Sequence, residues 1–132
     1  MKNSFSISVN LDAAPNKLYE AWLSSREHGN FIGDTARIAA KVGGKFSVWD
    51  GYITGKTMEL EPSKRIVQSW RTTEFSDDDP DSVIEIIITK TKTGSKLTIN
   101  HSNLPQGQAP EYKQGWKEYY FEPMKEYFKN KK

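Results

Sequence analysis

The chain has 132 residues and a net charge of +2, with 36% hydrophobic and 27% charged residues. This length suits one domain over 1–132, and no apolar run approaches the roughly 20 residues that a membrane-spanning helix needs. With no cysteine, disulfide frameworks, zinc–thiolate sites and a cysteine nucleophile are excluded. Because acidic and basic residues are interleaved and the N-terminus lacks a secretory pattern, we expect a cytoplasmic protein with no nucleic-acid partner and no membrane span.

The first predicted elements are a strand and two short helices. Segment 5–11, FSISVNL, alternates apolar with polar residues, which is the pattern of a strand with one buried face. Asp12 occupies an N-cap position and Pro15 a first-turn position, so a helix is predicted from about 14 to 24. A cap-like serine in SSREHGNF restarts the pattern, and a second helix is predicted as far as about Phe31.

The middle of the chain is predicted to be an antiparallel meander. β-branched and aromatic segments are separated by turn signals, which include a double glycine, two TG pairs and the acidic DDDPD segment. Each segment is short enough for hairpin connections. The predicted strands are 36–41, 44–52, 55–61, 65–73, 82–91 and 96–102.

A long helix is predicted over 110–130, because Pro105 and Pro110 end the sheet and the residues beyond them repeat with helical spacing. Pro123 cannot donate a backbone hydrogen bond and is expected to bend this helix. Gly115 lowers helix stability by about 1 kcal/mol relative to alanine, so we interpret it as shaping the helix. One stripe of the helix carries Trp116, Tyr120, Pro123 and Tyr127, and its three rings are expected to face the sheet.

These elements predict an α+β domain. A curved sheet of seven antiparallel strands grips the C-terminal helix, and two short helices lie between the first and second strands. The aromatic stripe of the helix then faces inward. Its rings either fill the interior or line a cavity.

Two polar residues are candidates for anchoring a ligand. The alternation in KLTINHS places Leu97, Ile99 and His101 on the inward face of a strand, where a histidine suits either a hydrogen-bonding anchor or an acid–base group. The alternative is a structural histidine that is satisfied by one backbone or hydroxyl partner. Asp50 precedes Gly51, and a glycine within a strand pattern indicates a bulge. Asp50 either accepts a hydrogen bond inside a pocket or caps that bulge.

Aromatic residues from the sheet and the helix are candidates for the walls of a cavity. Trp49 and Tyr52 flank the same predicted bulge and are expected to share a face, and Trp70 lies on another strand. Together with Trp116 and Tyr120 of the helix, they would line a gap between helix and sheet. For Trp70, ordinary core packing is the alternative.

The sequence contains no motif that assigns a catalytic residue, a metal or a cofactor. The double glycine lacks the spacing of a phosphate loop and leads into a strand, and SDDDPD lacks the spacing of a calcium loop. No serine lies in a G-x-S-x-G segment. His28 lies in a turn with nothing to orient it. We therefore expect no metal and no cofactor, and we assign no catalytic residue.

Three segments carry a resemblance to a known family: GGKFSVWDGYITGKTMELEPSKRIVQSWR at 43–71, LTINHSNLP at 97–105 and GWKEYYFEPMKEY at 115–127. From about residue 4 to residue 129 the chain resembles the activator of heat-shock-protein-90 ATPase family. These are START-like proteins of the helix-grip superfamily, which includes polyketide cyclases and Bet v-like proteins. The resemblance implies a long C-terminal helix across a curved antiparallel sheet, with a hydrophobic ligand cavity between them.

The favoured function is non-catalytic binding of a small hydrophobic or amphipathic molecule between sheet and helix. A first alternative, implied by the resemblance, is a co-chaperone or stress-response interaction domain with a chaperone as partner. Because the chain resembles only the C-terminal type of domain in eukaryotic members, we expect at most a weak effect on that partner. A second alternative is a cyclase- or hydrolase-like enzyme that uses the same cavity. The expected ligand contacts are Trp49, Tyr52, Trp70, Trp116 and Tyr120 as walls and Asp50 and His101 as anchors.

Overall fold

Seven antiparallel strands form one sheet within residues 3–129, the part of the chain that this computed structural model describes. The strand order is β1-β7-β6-β5-β4-β3-β2, so the first strand pairs with the last and consecutive hairpins connect β2 to β7. This arrangement confirms the predicted α+β class. The strands are β1 Phe5–Leu11, β2 Ala36–Ile38, β3 Lys45–Val48, β4 Ile53–Glu61, β5 Arg65–Thr72, β6 Ser82–Lys90 and β7 Ser95–Ser102.

Two short helices lie between β1 and β2, as predicted. They are α1 Pro15–Leu23 and α2 Ser25–Ile32. The N-cap of α1 is Ala14 and not Asp12, because the backbone of Ala14 is still extended and the proline after it starts the helix. The N-cap of α2 is Ser24, whose hydroxyl accepts a hydrogen bond from the backbone N–H of Glu27 at 3.1 Å.

The strand predicted over 44–52 is shorter than expected, because β3 ends at Val48. Trp49, Asp50 and Gly51 have φ angles of 51°, 53° and 90°, and a left-handed backbone does not continue a strand. The N–H of Tyr52 donates to the carbonyl of Trp49 at 3.1 Å, which closes a hairpin turn into β4. The bulge predicted at Gly51 is therefore a turn, and a register shift of the sheet lies further along β4.

The C-terminal helix has three consecutive segments: α3 Ala109–Trp116, a π-helical turn Lys117–Phe121 and α4 Glu122–Lys129. Within the π turn, the N–H of Glu122 donates to the carbonyl of Lys117. Pro123 follows directly and has no N–H for an α-helical partner. The irregularity predicted from Pro123 thus takes the form of a π turn, which inserts one extra residue into the helix. The predicted end of the helix at 130 lies outside the described residues.

The extra residue rotates the inward face of the helix. The large buried side chains are Tyr112 and Trp116 of α3, Tyr120 and Phe121 of the π turn, and Met124 and Phe128 of α4. Trp116 and Tyr120 face the sheet as predicted. Tyr127 is instead half-buried, with its hydroxyl donating to the carboxylate of Glu27 at 2.7 Å. The predicted stripe is wrong beyond Tyr120, because a wheel of 100° per residue assumes an uninterrupted α-helix.

The inward face of the sheet and the C-terminal helix share one core. Its central strands contribute aliphatic side chains that are almost completely buried: Ile84, Ile86, Ile88, Leu97 and Ile99. Burying one such side chain contributes about 1.5–3 kcal/mol, so this layer is a major source of the stability of the core on which the helix packs. None of the helices within residues 3–129 is long and apolar enough to cross a membrane.

Candidate functional site: an aromatic cleft

A cleft of about 400 Å³ lies between the sheet and the first half of the C-terminal helix. The turn between β3 and β4 forms one side, α3 and the π turn form the other, and β5 contributes a tryptophan. Seven of its ten lining residues are aromatic, and one is charged. The lining residues are Trp49, Tyr52, Ile53, Trp70, Glu111, Tyr112, Gly115, Trp116, Tyr119 and Tyr120.

Trp49 reaches the cleft from a left-handed backbone. A positive φ is uncommon for a bulky residue, and a backbone in such a region costs about 1–3 kcal/mol. The indole makes edge contacts with Tyr119 and Tyr120 of the helix, at ring-centroid distances of 6.4 and 5.4 Å. The left-handed turn therefore places the Trp49 ring against the helix. In a regular strand the side chains alternate between the two faces of the sheet, so the side chain after the buried Val48 would point away from the helix.

Three of the four tyrosines that line the cleft have hydroxyl groups that are hydrogen-bonded to other parts of the protein. The hydroxyl of Tyr112 donates to the side-chain carbonyl of Gln108 at 2.8 Å. The hydroxyl of Tyr52 donates to the carboxylate of Glu74 at 2.8 Å, at the exposed edge of the cleft. Tyr120 is bonded in the same way within the core. What these residues offer to the cleft is therefore mainly ring surface.

His28 holds the hydroxyl of Tyr120. Its Nδ1 lies 2.8 Å from the carbonyl oxygen of Trp22, which can only accept, so Nδ1 carries the proton. Nε2 then accepts from the hydroxyl of Tyr120 at 2.7 Å. Burial lowers the pKa of His28 to about 4, although its bond to Trp22 opposes this shift. His28 lies in α2 and not in a turn as expected, and its role was not apparent from the sequence because folding brings Tyr120 to it from 92 residues away.

His101 lies in the core against two residues of the cleft wall, outside the cleft itself. Its Nδ1 accepts from the indole N–H of Trp116 at 3.0 Å, so the proton is on Nε2, which donates to the hydroxyl of Ser82 at 2.9 Å. That hydroxyl donates to the carbonyl of Trp70 at 2.6 Å. Burial lowers the pKa of His101 to about 3. Because both ring nitrogens are bonded within the protein and the ring does not line the cleft, the geometry favours the structural alternative for His101.

Asp50 also lies outside the cleft. It is exposed in the turn between β3 and β4, where its backbone N–H donates to the hydroxyl of Thr35 at 2.9 Å. The expected anchor role is corrected, because the left-handed turn replaces the bulge that was to bring this carboxylate inward. Within residues 3–129 no cluster of three or more histidine, aspartate or glutamate side chains could hold a metal ion.

Five lining residues were not among the predicted contacts: Ile53, Glu111, Tyr112, Gly115 and Tyr119. Four of them lie on the C-terminal helix, where Glu111, Gly115 and Tyr119 repeat every four residues and Tyr112 lies four residues before Trp116. That spacing was visible in the sequence. Glu111 and Tyr112 were missed because the predicted stripe begins at Trp116, one turn further along the helix. The five residues that were predicted as walls all line the cleft: Trp49, Tyr52, Trp70, Trp116 and Tyr120.

Comparison with known proteins identifies relatives over almost the whole chain. Residues 12–129 match the family model described as "Activator of Hsp90 ATPase homolog 1-like protein". The human activator of 90 kDa heat shock protein ATPase homolog 1 is 29% identical over 115 residues, which are 87% of this chain and 34% of the human protein. The chain thus spans about a third of the length of that relative.

Solved structures give the same result for the fold. The crystal structure of an HSP90 activator from Plasmodium falciparum has a TM-score of 0.79 and 26% identity, and the match covers 89% of each chain. A protein from Mesorhizobium loti has a TM-score of 0.83 at 21% identity over 98% of this chain and 99% of its own, a likeness of fold alone. Because the family model covers most of the sequence, this helix-grip chain belongs to the family of Activator of Hsp90 ATPase homolog 1-like proteins.

Proposed function

We propose that this domain binds a small apolar or amphipathic molecule in the aromatic cleft, without catalysing a reaction. The observation that carries the proposal is the cleft itself, about 400 Å³ with seven aromatic lining residues. Ligand sites of proteins typically have about 300–1,000 Å³ and are mostly apolar. The bonded hydroxyls of Tyr52, Tyr112 and Tyr120 support an apolar interior, because they leave few polar groups directed at a ligand.

Gly115 supports the same proposal from the side of the helix. A β-carbon at this position would meet a single neighbouring atom within 4 Å, a ring carbon of Tyr119 at 3.9 Å, so no packing requires a glycine. Glycine inside a helix lowers stability by about 1 kcal/mol relative to alanine. The glycine thus leaves space next to Trp116 at the expense of helix stability.

A cleft-blocking substitution tests this function. Gly115→Leu adds an apolar side chain inside the cleft, and the matched control Gln114→Leu adds the same side chain at the exposed neighbouring position. Lipids, flavonoids and aromatic metabolites are titrated against all three proteins, with tryptophan fluorescence as the signal. We expect a ligand to bind wild type and Gln114→Leu with similar affinity. Its affinity for Gly115→Leu is expected to be at least about tenfold lower, a loss of about 1.4 kcal/mol in binding free energy.

Two outcomes would contradict this function. One is that none of these compound classes changes the fluorescence of the wild-type protein. The other is that a ligand binds Gly115→Leu as tightly as it binds Gln114→Leu, because its site then lies elsewhere on the surface.

A second candidate function, contact with a chaperone of the Hsp90 class, is supported by the comparisons more directly than ligand binding is. The observation in its favour is the family match over residues 12–129, together with the 26% identity to the Plasmodium falciparum HSP90 activator over 89% of both chains. The domain would then alter the ATPase cycle of a chaperone.

ATP hydrolysis by the Hsp90-class chaperone of the same organism tests this second function. We expect the steady-state rate to change when the domain is added in increasing amounts, and to approach a limit at saturation. Running the same titration with Gly115→Leu separates the two functions, because a chaperone contact outside the cleft is insensitive to a filled cleft. An unchanged rate at the highest concentration of wild-type domain contradicts the chaperone function.

A further inference from the structure

We propose that the cleft selects an organic cation, an apolar or aromatic molecule with a substituted ammonium group, and that Glu111 is the counter-ion of that group. The inference rests on the proposed ligand-binding function and names the chemical class of the ligand. It combines three observations: the sign of the charge at the cleft, the carboxylates near its edge, and the arrangement of its rings.

The charged lining of the cleft is purely negative. Glu111 is the one ionisable acid or base other than tyrosine among its ten lining residues, and neither lysine nor arginine is among them. Glu111 is exposed in the first turn of α3, and within the described part of the chain its carboxylate has no ion pair. The N-terminus of a helix favours an acidic residue, so the position of this carboxylate beside the cleft is favourable without a partner from the protein.

A second carboxylate adds to this charge. Glu74 accepts the hydrogen bond of the Tyr52 hydroxyl at 2.8 Å, which fixes its negative charge at the edge of the cleft. Burial raises the pKa of the Tyr112 phenol, and the charges of Glu74 and Glu111 raise it further. Both carboxylates are therefore close enough to the cleft wall for their charge to act on a bound molecule.

The rings supply the remaining attraction. An aromatic ring has a negative face, and a cation within about 6 Å of the ring centroid is attracted to it. Trp49 stands edge-on to Tyr119 and Tyr120, and Trp116 packs against Tyr120 with a centroid distance of 4.7 Å. A group between the turn and the helix thus has rings in several orientations around it. A neutral molecule of the same shape gains the burial but not this electrostatic attraction.

Two probes of equal shape, one positively charged and one neutral, test the proposal. One is meta-hydroxyphenyl trimethylammonium, and the other is meta-tert-butylphenol, in which a carbon replaces the charged nitrogen. Both are titrated by calorimetry and tryptophan fluorescence into wild type, Glu111→Gln and Glu126→Gln. Glu126 is an exposed residue of α4 outside the cleft lining, so its substitution removes the same charge at a distance. Gly115→Leu reports whether the probes occupy the cleft.

We expect the cation to bind wild type at least about fivefold more tightly than the neutral probe. Glu111→Gln lowers the affinity for the cation and leaves that for the neutral probe unchanged, whereas Glu126→Gln changes neither. Equal affinities, or a preference for the neutral probe, overturn the cation selectivity while leaving a ligand-binding cleft. A preference that survives in Glu111→Gln overturns the counter-ion role. If neither probe binds, the cation selectivity is overturned, whereas the ligand-binding function is contradicted only when the lipids, flavonoids and aromatic metabolites also fail to bind.

Discussion

The indole N–H of Trp116 donates to Nδ1 of His101 at 3.0 Å, which joins the C-terminal helix to β7 through a buried hydrogen bond. The bond continues through Nε2 of His101 to Ser82 and from there to the carbonyl of Trp70. Trp70 and Trp116 are both walls of the cleft. The histidine therefore sets the positions of two cleft rings although it is not exposed to the cleft.

Replacing His101 with alanine is expected to lower the free energy of unfolding by about 3 kcal/mol, because the indole N–H of Trp116 and the Ser82 hydroxyl lose their partner and a cavity remains. Urea unfolding followed by tryptophan fluorescence measures the change. Thr98→Ala, on the outward side of the same strand, is the control and is expected to cost less than about 1 kcal/mol. A loss in His101→Ala no larger than in this control contradicts the structural role.

The two histidines also predict how stability depends on pH. Burial lowers the pKa of His101 to about 3 and that of His28 to about 4, whereas an unfolded histidine titrates near about 6.5. Between those values the unfolded chain binds more protons, so stability is complete above about pH 6.5 and is lost as the pH falls. From about pH 6 to about pH 5, the two groups together lower the free energy of unfolding by about 2 kcal/mol.

Urea unfolding across this pH range checks the predicted loss, and NMR of the histidine rings gives an independent reading. The chain contains two histidines, so their ring signals are readily distinguished. Neither signal is expected to shift between about pH 7 and about pH 5 in the folded protein. A midpoint near about pH 6.5 for either ring would mean that it is not held neutral in the core.

The fold was predictable because its signals are local. The alternation in FSISVNL and in KLTINHS, and the helical spacing of Trp116 and Tyr120, each follow from a few consecutive residues. The left-handed backbone of Trp49 and the π turn before Pro123 do not follow in this way. The first ends the strand at Val48 and the second adds a residue to the helix, so the predicted positions of Asp50 and Tyr127 were wrong.

The polar part of the site was the least predictable. Aromatic residues such as Trp70 and Trp116 are large and apolar, so their inward positions follow from periodicity. The state of a histidine depends instead on partners that are distant in the sequence. His101 is bonded to residues of another strand and of the C-terminal helix, and His28 is bonded to Tyr120, 92 residues away.

Tyr120→Phe tests the second buried histidine. The substitution keeps the ring in the cleft wall but removes the hydroxyl that donates to Nε2 of His28, so a buried acceptor is left without a partner. We expect the free energy of unfolding to fall by about 1–3 kcal/mol. Tyr119→Phe removes the same atom from a ring that is 60% exposed, and is expected to change it by less than about 0.5 kcal/mol. Equal effects of the two substitutions would contradict the buried bond.

Gly115→Ala is expected to stabilise the protein by about 1 kcal/mol, because alanine is the better helix former. The new methyl group meets no close neighbour, since the nearest atom is a ring carbon of Tyr119 at 3.9 Å. Gly55→Ala is the contrasting control. A β-carbon there would overlap the carbonyl oxygen of Ser69 and the ring of Phe46, so we expect a loss of more than about 2 kcal/mol.

Thermal and urea unfolding of the two glycine variants show whether a methyl group at position 115 fits into free space or clashes with its neighbours. A higher free energy of unfolding for Gly115→Ala, combined with weaker binding of any cleft ligand, means that the glycine keeps the cleft open at the expense of helix stability. A lower free energy of unfolding would mean that the methyl group clashes, and that the space beside Trp116 is smaller than the cleft described above. Gly55→Ala is expected to lower the free energy of unfolding. The two variants together therefore distinguish a general effect of added methyl groups from an effect of the space in the cleft.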